Sequence, residues 1–432
     1  MKIALISGFT DAEVRENLTF SKNTRLFQGL IKLFRLPARV GEFSDLCPWV
    51  KSMILYFEKC QDVELHVIGP HIRLKNVIEE FQMRGINYHY YRQDYSSFIR
   101  IIGNYKIWKR LQLCGRRVKR IVNNINPDIV LLSGSENPVS SVSVLSLPNY
   151  PRLCLCQVVY NDPERQHPNK LIKDCESDVF SSLDYLGVYC KKHYKLLQQQ
   201  YNEKKIFKYN YPPRINNRPP ISTSIEKEYD FVNFAFNHSS AKGTPDSIQA
   251  LAIVKHTHPD VTLNIVGGCS ESLRKELDVL IEELHLQQNV IFTPFFEKRS
   301  DVLQHIRKAR FAVLPCKLDN ISGTMLQALT RGLPIVVYET TGTPELNKYG
   351  TCALIAKMND VDGLAKQMMS LLEDNRFAEE MKINARRYRE QERLTNKKNW
   401  DKMVDNFQAI IDNHYKGLPI SKDKLFNPLI DD

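Results

Sequence analysis

Residues 314–345 read LPCKLDNISGTMLQALTRGLPIVVYETTGTPE, a pattern that predicts a strand, a polar loop, a short helix and a second strand. We predict the two strands over residues 311–314 and 335–338. The helix should begin just after Ser322, because serine is a common helix N-cap, and it should end before Gly332. The order strand, helix, strand is that of one unit of an α/β domain.

The start of this helix is also a candidate binding site. The first backbone amides of a helix, here those of Gly323, Thr324 and Met325, lack helical partners, and the positive end of the helix dipole lies behind them. Gly323 has no side chain to block an approaching group. The stretch therefore predicts a phosphate site, although an ordinary corner of an α/β domain has the same pattern.

Length and composition set the class of protein. A chain of 432 residues is longer than one usual core and predicts two domains. No apolar run reaches the roughly 18 residues of a transmembrane helix, and MKIALISG at residues 1–8 is typical of a first strand rather than a secretion signal. The ten cysteines are scattered without CxxC spacing, which indicates reduced thiols in a cytoplasmic protein.

The formal net charge of +11 favours an anionic partner: a nucleotide, an anionic membrane surface or a nucleic acid. A predicted helix over residues 98–124 is rich in lysine and arginine, with Trp108 among them. This composition suits a peripheral membrane surface, and a solvated basic face explains it equally well. The chain lacks the strand platform of interleaved aromatic and basic residues that nucleic-acid binding would need.

Polar residues follow the predicted strands of the first half of the chain. The carboxyl ends of parallel strands line the ligand crevice of an open sheet, so we expect these side chains on the acceptor side of a cleft. Turn formation, capping or solvation is the alternative for each of them. They are Gly8, His71, Glu136, Asn137 and Gln157.

Prolines, asparagines and serines cluster around residues 209–228 and predict a domain boundary. We expect one domain over residues 1–210, a second over 211–398, and a C-terminal helix and tail over 399–432. Strands alternate with helices in the second half, which predicts a doubly wound parallel sheet. Two such domains imply an interdomain cleft. The apolar stripe of the last helix, which includes Trp400 and Phe407, should pack back on the first domain.

Further residues of the second half carry candidate chemistry. Lys242 follows a predicted strand at the same sheet edge as the start of the Ser322 helix, where an ammonium group suits a pyrophosphate. Asp319 and Gln327 lie on either side of that helix start and can bond sugar or ribose hydroxyls. Glu345 could bound the same pocket or serve only in a turn.

These motifs together resemble glycosyltransferase family 4, whose fold is named GT-B and consists of two Rossmann-like domains. The resemblance rests on DNISGTMLQAL at 319–329, TTGTPELN at 340–347 and the loop at 237–243, and it covers most of residues 229–400. MKIALISG and PDIVLLSGSEN at 127–137 extend it weakly into the first half. Within the family the chain is similar to bacterial enzymes of surface-polysaccharide assembly.

The resemblance implies transfer of a sugar, with retention of configuration, from a UDP- or GDP-linked donor to a glycan or lipid-linked acceptor. It implies no cofactor and no metal, and we interpret Asp360 in the Asp-Val-Asp motif at 360–362 as a helix cap. Lys242 and Asp319 would be catalytic. The donor contacts implied are Asn237, His238, Ser322, Gly323, Thr324, Met325, Gln327 and Glu345.

Three positions depart from the family pattern. The first of the family's two acids is replaced by Asp319, which is one methylene shorter, and the second by Gln327, which has no negative charge. Asn237 stands where the family usually has arginine. Lys242 is then the main cation for the diphosphate, with His238 as a helper. These changes leave open a catalytically degenerate protein that binds a nucleotide sugar or a partner without turnover.

Overall fold

The computed structural model describes residues 1–20, 47, 49–71, 74–93, 104–163, 170–212, 225–296, 299–317, 321–340 and 342–429, with no side chains for 104–110 and 299. The chain divides into two compact units. The first comprises Met1–Asn216 with Thr395–Asp432, and the second comprises Asn217–Leu394.

The first unit is built on an eight-stranded sheet. Its strands are β1 (Lys2–Ile6), β2 (Glu64–His71), β3 (Ile78–Met83), β4 (Ile86–Arg92), β5 (Ile129–Ser133), β6 (Arg152–Leu155), β7 (Tyr185–Val188) and β8 (Lys205–Lys208). They lie in the order β3-β4-β2-β1-β5-β6-β7-β8. Neighbouring strands pair in parallel except at the β3 edge, where β3 runs antiparallel to β4.

The antiparallel edge was not expected from the sequence. Arg84 and Gly85 both have positive φ, +50° and +76°, and form the two-residue turn between β3 and β4. A turn with positive φ at both central residues matches the twist of paired antiparallel strands. The first sheet is therefore mixed rather than wholly parallel.

Both faces of this sheet are covered. Alternate residues of β1 enter different apolar clusters, Ile3 and Leu5 on one face and Ala4 and Ile6 on the other. The helices of the unit are α1 (Ala12–Glu16), α2 (Val50–Phe57), α3 (Asn104–Ile125), α4 (Pro138–Ser141), α5 (Lys170–Ser182) and α6 (Lys191–Gln200). Burial on both faces is the arrangement predicted for a doubly wound sheet.

The predicted basic helix is observed as α3. Its described face toward the core consists of buried apolar residues, among them Val118, Ile121 and Val122, as the spacing predicts. The first residues of the predicted span, 98–103, lie outside the described residues. None of the described helices combines the length and hydropathy needed to cross a membrane.

The second unit holds a six-stranded parallel sheet in the order β11-β10-β9-β12-β13-β14. Its strands are β9 (Tyr229–Asn237), β10 (Leu263–Gly268), β11 (Val290–Thr293), β12 (Ala309–Val313), β13 (Ile335–Tyr338) and β14 (Ala353–Ala356). Its helices are α7 (Thr244–Lys255), α8 (Glu271–Glu283), α9 (Arg299–His305), α10 (Gly323–Thr330), α11 (Val361–Glu373) and the first part of α12 (Asn375–Lys416). The predicted parallel sheet of this half is confirmed.

The long helix α12 belongs to both units, because the division falls between Leu394 and Thr395. Beyond that point, Trp400 is fully buried and its ring lies 5.8 Å from that of Phe57, while Asp401 accepts a hydrogen bond of 3.0 Å from Tyr56. The predicted return of the C-terminal helix to the first domain is confirmed. The interdomain cleft stays a prediction.

Candidate functional site

The helix start predicted at Ser322 is present. Ser322 precedes α10, is buried, and its Oγ accepts a hydrogen bond of 3.3 Å from the Met325 amide. The Met325 amide therefore donates to the cap and its side chain is fully buried, and its contact with a ligand stays a prediction. Gly323 and Thr324 remain as the candidate amides for an anion at this helix start.

Lys242 lies against the loop that leads toward α10. It ends a short 3₁₀ turn after β9, and its Nζ lies 3.7 Å from the Sγ of Cys316. The backbone amide of Lys317 also donates a hydrogen bond of 2.9 Å to the carbonyl of Ala241. Because β9 and β12 are neighbours in the sheet, the lysine and the loop after β12 meet at one edge, as predicted.

Gly243 makes this approach possible. Its φ is +71°, and a Cβ at this position would lie 2.2 Å from the carbonyl oxygen of Pro315. Any side chain would push the two loops apart, so glycine is required here for two independent reasons.

An ion pair that sequence reasoning missed holds the same loop from the other side. Lys317 Nζ lies 2.8 Å from Asp246 Oδ2, which also accepts a hydrogen bond of 2.7 Å from the Tyr338 hydroxyl. Burial, followed by this hydrogen bond, raises the pKa of Tyr338. From the sequence, Asp246 is predicted only as a residue of the first turn of a helix. Its partners Lys317 and Tyr338 are more than 70 positions away and give no local signal.

Asn237 and His238, adjacent at the end of β9, differ in burial. Asn237 is exposed and pairs with Gly268 of β10, at the carboxyl edge of the sheet. His238 is buried, with Nδ1 2.9 Å from the Thr244 hydroxyl and Nε2 3.0 Å from the Val266 carbonyl. Burial lowers the pKa of His238, which disfavours a charged imidazole beside Lys242.

The remaining predicted donor residues differ in their exposure to solvent. Gln327 is half-buried on α10, and its Nε2 lies 3.9 Å from where a Cβ of Gly323 would be. Glu345 is exposed in the short 3₁₀ turn Thr343–Asn347. Asp319, one of the two predicted catalytic residues, lies outside the described residues.

Two exposed aromatic residues stand at the same edge and were missed. Phe236 is 60% exposed and Phe295 is 46% exposed, and their ring centroids lie 5.1 Å apart, edge to face. They come from β9 and from the chain after β11, and β10 lies between these strands with Gly267 and Gly268 at its end. An exposed aromatic pair beside two glycines forms an apolar patch at this edge of the sheet.

In the first unit, two predicted acceptor residues lie side by side. A Cβ on Gly8 would be 2.9 Å from the Asn137 Nδ2. Asn137 also caps α4, because its Oδ1 accepts a hydrogen bond of 3.1 Å from the Val139 amide. The capping alternative therefore holds for Asn137, and its amide group still lies against Gly8.

Gln157 joins a polar cluster that includes a tyrosine missed from the sequence. Its Nε2 donates a hydrogen bond of 2.5 Å to the Tyr211 hydroxyl, which lies 3.3 Å from the Ser133 Oγ. Burial and then the Glu136 carboxylate raise the pKa of the Cys47 thiol to about 12. Glu136 and Gln157 follow the carboxyl ends of β5 and β6.

His71 is placed differently from the prediction. Strand β2 continues through His71, which pairs with Arg92 of β4. Its ring is buried, 5.1 Å from that of Phe20 and 6.5 Å from that of Tyr90. The predicted loop is therefore wrong, and His71 is a packed strand residue because aromatic neighbours cover it.

Asp360 is a helix cap. Its Oδ1 accepts a hydrogen bond of 2.8 Å from the Gly363 amide at the start of α11. This is the role that the sequence interpretation assigned to the first aspartate of the Asp-Val-Asp motif.

The two units with their α/β sheets define the class, which is the GT-B fold. Over 97% of this chain and all of the other, the structure is similar to sucrose-phosphate synthase from Thermosynechococcus elongatus, with a TM-score of 0.64 and 14% identity. It is also similar to HepE from Anabaena in complex with UDP, with a TM-score of 0.60 and 13% identity, over 94% of this chain and 99% of that one. Identities this low show the fold alone.

The second unit contains the residues that match a family model. Residues 220–388 match the model of the glycosyl transferases group 1. N-acetyl-alpha-D-glucosaminyl L-malate synthase from Bacillus anthracis is 25% identical over 170 residues, which cover 38% of this chain and 43% of that relative. The match thus spans less than half of the relative's length. The resemblance predicted from the sequence is confirmed over residues 220–388, the part of the chain that matches the glycosyl transferases group 1 model.

Proposed function

We propose that the protein is a glycosyltransferase that moves a sugar from a nucleoside diphosphate sugar to a hydroxyl of a glycan or lipid-linked acceptor. UDP is the first nucleotide to consider, because the HepE structure contains it. Retention of the anomeric configuration, independence of metal ions and a place in surface-polysaccharide assembly follow the resemblance and belong to the proposal.

One observation carries the proposal most directly. Lys242 lies 3.7 Å from Cys316 in the loop after β12, and α10 follows that loop in the chain, so we assign the cation and the first amides of α10 to one edge of the sheet. In sugar transfer the departing diphosphate gains negative charge, and preorganised cations and amides stabilise that charge best. Lys242, Gly323 and Thr324 are the groups we assign to it.

The aromatic pair extends this donor site. Phe236, near the end of β9, and Phe295, after β11, are in contact across the end of β10, and β10 and β12 lie on opposite sides of β9. Two steps between strands amount to about 10 Å, a span suited to a nucleoside diphosphate. We assign the aromatic pair to the nucleobase and the Lys242 edge to the phosphates.

The acceptor is proposed to bind the first unit. Gln157, Tyr211 and Ser133 form a hydrogen-bonded cluster near Glu136, and neutral hydrogen-bonding groups suit the hydroxyls of a sugar. Asn137 and Gly8 lie at the same edge of the sheet. The exposed basic residues of α3 support an anionic membrane surface as a further partner and a peripheral location at the inner face of the plasma membrane.

The first test changes Lys242 to methionine, which keeps the length of the side chain and removes its charge. A hydrogen bond to a charged group contributes about 1.5–3 kcal/mol, so the Kd for UDP, measured by calorimetry, should rise about 10–100-fold. Lys366→Met is the matched control, because Lys366 is an exposed lysine of α11 in the same unit. Its Kd should equal that of the unchanged protein.

Release of UDP from UDP-glucose and UDP-N-acetylglucosamine, with and without a panel of glycan acceptors, tests the reaction itself. Equal UDP affinity in Lys242→Met would overturn the role of the lysine. UDP binding without release from any donor would instead favour the degenerate binding protein, the alternative that Asn237 and Gln327 leave open.

A further inference from the structure

A buried carboxylate lies behind the proposed acceptor site. Glu176 of α5 is 0% exposed, and its Oε1 accepts hydrogen bonds from the Ser135 hydroxyl, at 2.9 Å, and from the Tyr160 amide, at 3.0 Å. Its Oε2 accepts bonds from the Asn161 amide, at 2.9 Å, and from the Asn161 Nδ2, at 3.1 Å. Both oxygens are thus used, and all four donors are neutral.

These donors come from two loops of the sheet edge. Ser135 lies in the loop after β5, immediately before Glu136, and Tyr160 lies three residues after Gln157 in the chain beyond β6. Strands β5 and β6 pair in parallel, so both loops leave the same edge of the sheet. One carboxylate therefore joins the two loops that carry Glu136 and Gln157.

Burying a carboxylate at this position costs free energy, which the hydrogen bonds from the two loops offset. Burial raises the pKa of Glu176, against the opposing effect of its hydrogen bonds, while Cys175 and Val179 on the same helix are ordinary buried apolar residues. An apolar residue at 176 would leave the buried donors of the two loops without this acceptor.

We infer that Glu176 is a positioning residue for the acceptor site and holds the Glu136 loop and the Gln157 loop at a set distance. It acts through these loops and does not contact the acceptor. The inference rests on the proposed function, because it takes Glu136 and Gln157 as acceptor contacts.

Glu176→Gln is the decisive variant. A glutamine has one acceptor oxygen, so in either rotamer its NH₂ group faces one of the two backbone amides, that of Tyr160 or that of Asn161, and this amide loses its acceptor. Asp178→Asn is the matched control, since Asp178 is exposed on the same helix. Ser135→Ala removes a single donor and serves as a milder second variant if Glu176→Gln folds poorly.

Hydrogen–deuterium exchange tests the inference without any acceptor. In Glu176→Gln the backbone amide that faces the new NH₂ group, that of Tyr160 or that of Asn161, should exchange at least about tenfold faster, while β1 keeps its protection. Ser135→Ala should give a smaller increase at the same loops, and Asp178→Asn none. Unchanged exchange at both amides, or an equal increase throughout the first unit, would overturn the inference.

Kinetics separate this inference from the proposed function. With UDP-glucose as donor and octyl glucoside as acceptor probe, Glu176→Gln should need about tenfold more octyl glucoside for half-maximal UDP release, with UDP affinity unchanged within about twofold. An equal requirement in both proteins would contradict the positioning role. Absence of UDP binding to the unchanged protein would count against the proposed function, and the exchange result would still decide whether Glu176 holds the loops.

Discussion

Gly243 and Gly323 lack side chains for different reasons. Gly243 has a positive φ and lies against the Pro315 carbonyl, so the fold itself requires it. Around Gly323 the nearest atom to an added Cβ would be Gln327 Nε2, at 3.9 Å, so the fold leaves room for a side chain. At Gly323 the requirement for glycine would come from a ligand.

Gly323→Ala separates these two requirements. The folded protein should accept alanine at this helix position, with a free energy of unfolding that is equal or higher by up to about 1 kcal/mol. The methyl group should obstruct a phosphate at the α10 amides, and UDP affinity should fall at least about tenfold. Urea denaturation and calorimetry measure the two quantities.

Gly243→Ala is the contrasting variant, because it should lose stability through strain and overlap with Pro315. If Gly323→Ala binds UDP as tightly as the unchanged protein, the α10 amides do not contact the diphosphate.

At the scale of the element, both ends of α10 are set by residues close to them in the sequence. Ser322 caps α10, and the helix closes with Gly332 at φ +70° and a hydrogen bond of 3.1 Å from the Leu333 amide to the Ala328 carbonyl. This is the Schellman pattern, which satisfies carbonyls at the end of a helix. At each end of α10 the capping hydrogen bond joins residues that lie fewer than six positions apart in the sequence.

Asp360 allows a test of metal independence at this scale. Asp360→Ala should lower the free energy of unfolding by about 1 kcal/mol through loss of the α11 cap, while Asp360→Asn should retain stability because asparagine caps equally well. UDP binding by Asp360→Asn should be unchanged, with EDTA or with added Mg²⁺. Loss of UDP binding in Asp360→Asn, restored by the metal, would show that the aspartate is a ligand.

At the scale of the whole molecule, the net charge is +11, and part of the positive charge lies on the exposed face of α3. Arg116, Lys119 and Arg120 are exposed, while Val118 and Ile121 on the same helix are buried. The helix is thus fixed to the core by one face and presents cations on the other, which suits an anionic bilayer.

Cosedimentation with phosphatidylserine-containing vesicles tests this surface. Replacing Arg116, Lys119 and Arg120 by glutamine should weaken binding about 100-fold, from about 1 kcal/mol for each basic residue near the membrane, and salt should weaken it further. A control that replaces the exposed Lys275, Lys366 and Arg376 of the second unit makes the same charge change. Equal loss in both triple variants would indicate a general charge effect instead of a binding face.

The amino-acid sequence by itself determined the α/β units, the caps of α10 and α11 and the amphipathic faces of α3 and α12, because each depends on residues a few positions apart. Only the tertiary structure decided which polar groups are buried. His71 and His238 were predicted as accessible, yet residues of other strands and helices enclose them. Tyr211 and Glu176 gave no local signal, since Gln157 lies 54 residues from Tyr211 and Ser135 lies 41 residues from Glu176. Burial and hydrogen bonding between distant segments exist only once the sheet is assembled, and the functional role of a polar residue depends on them.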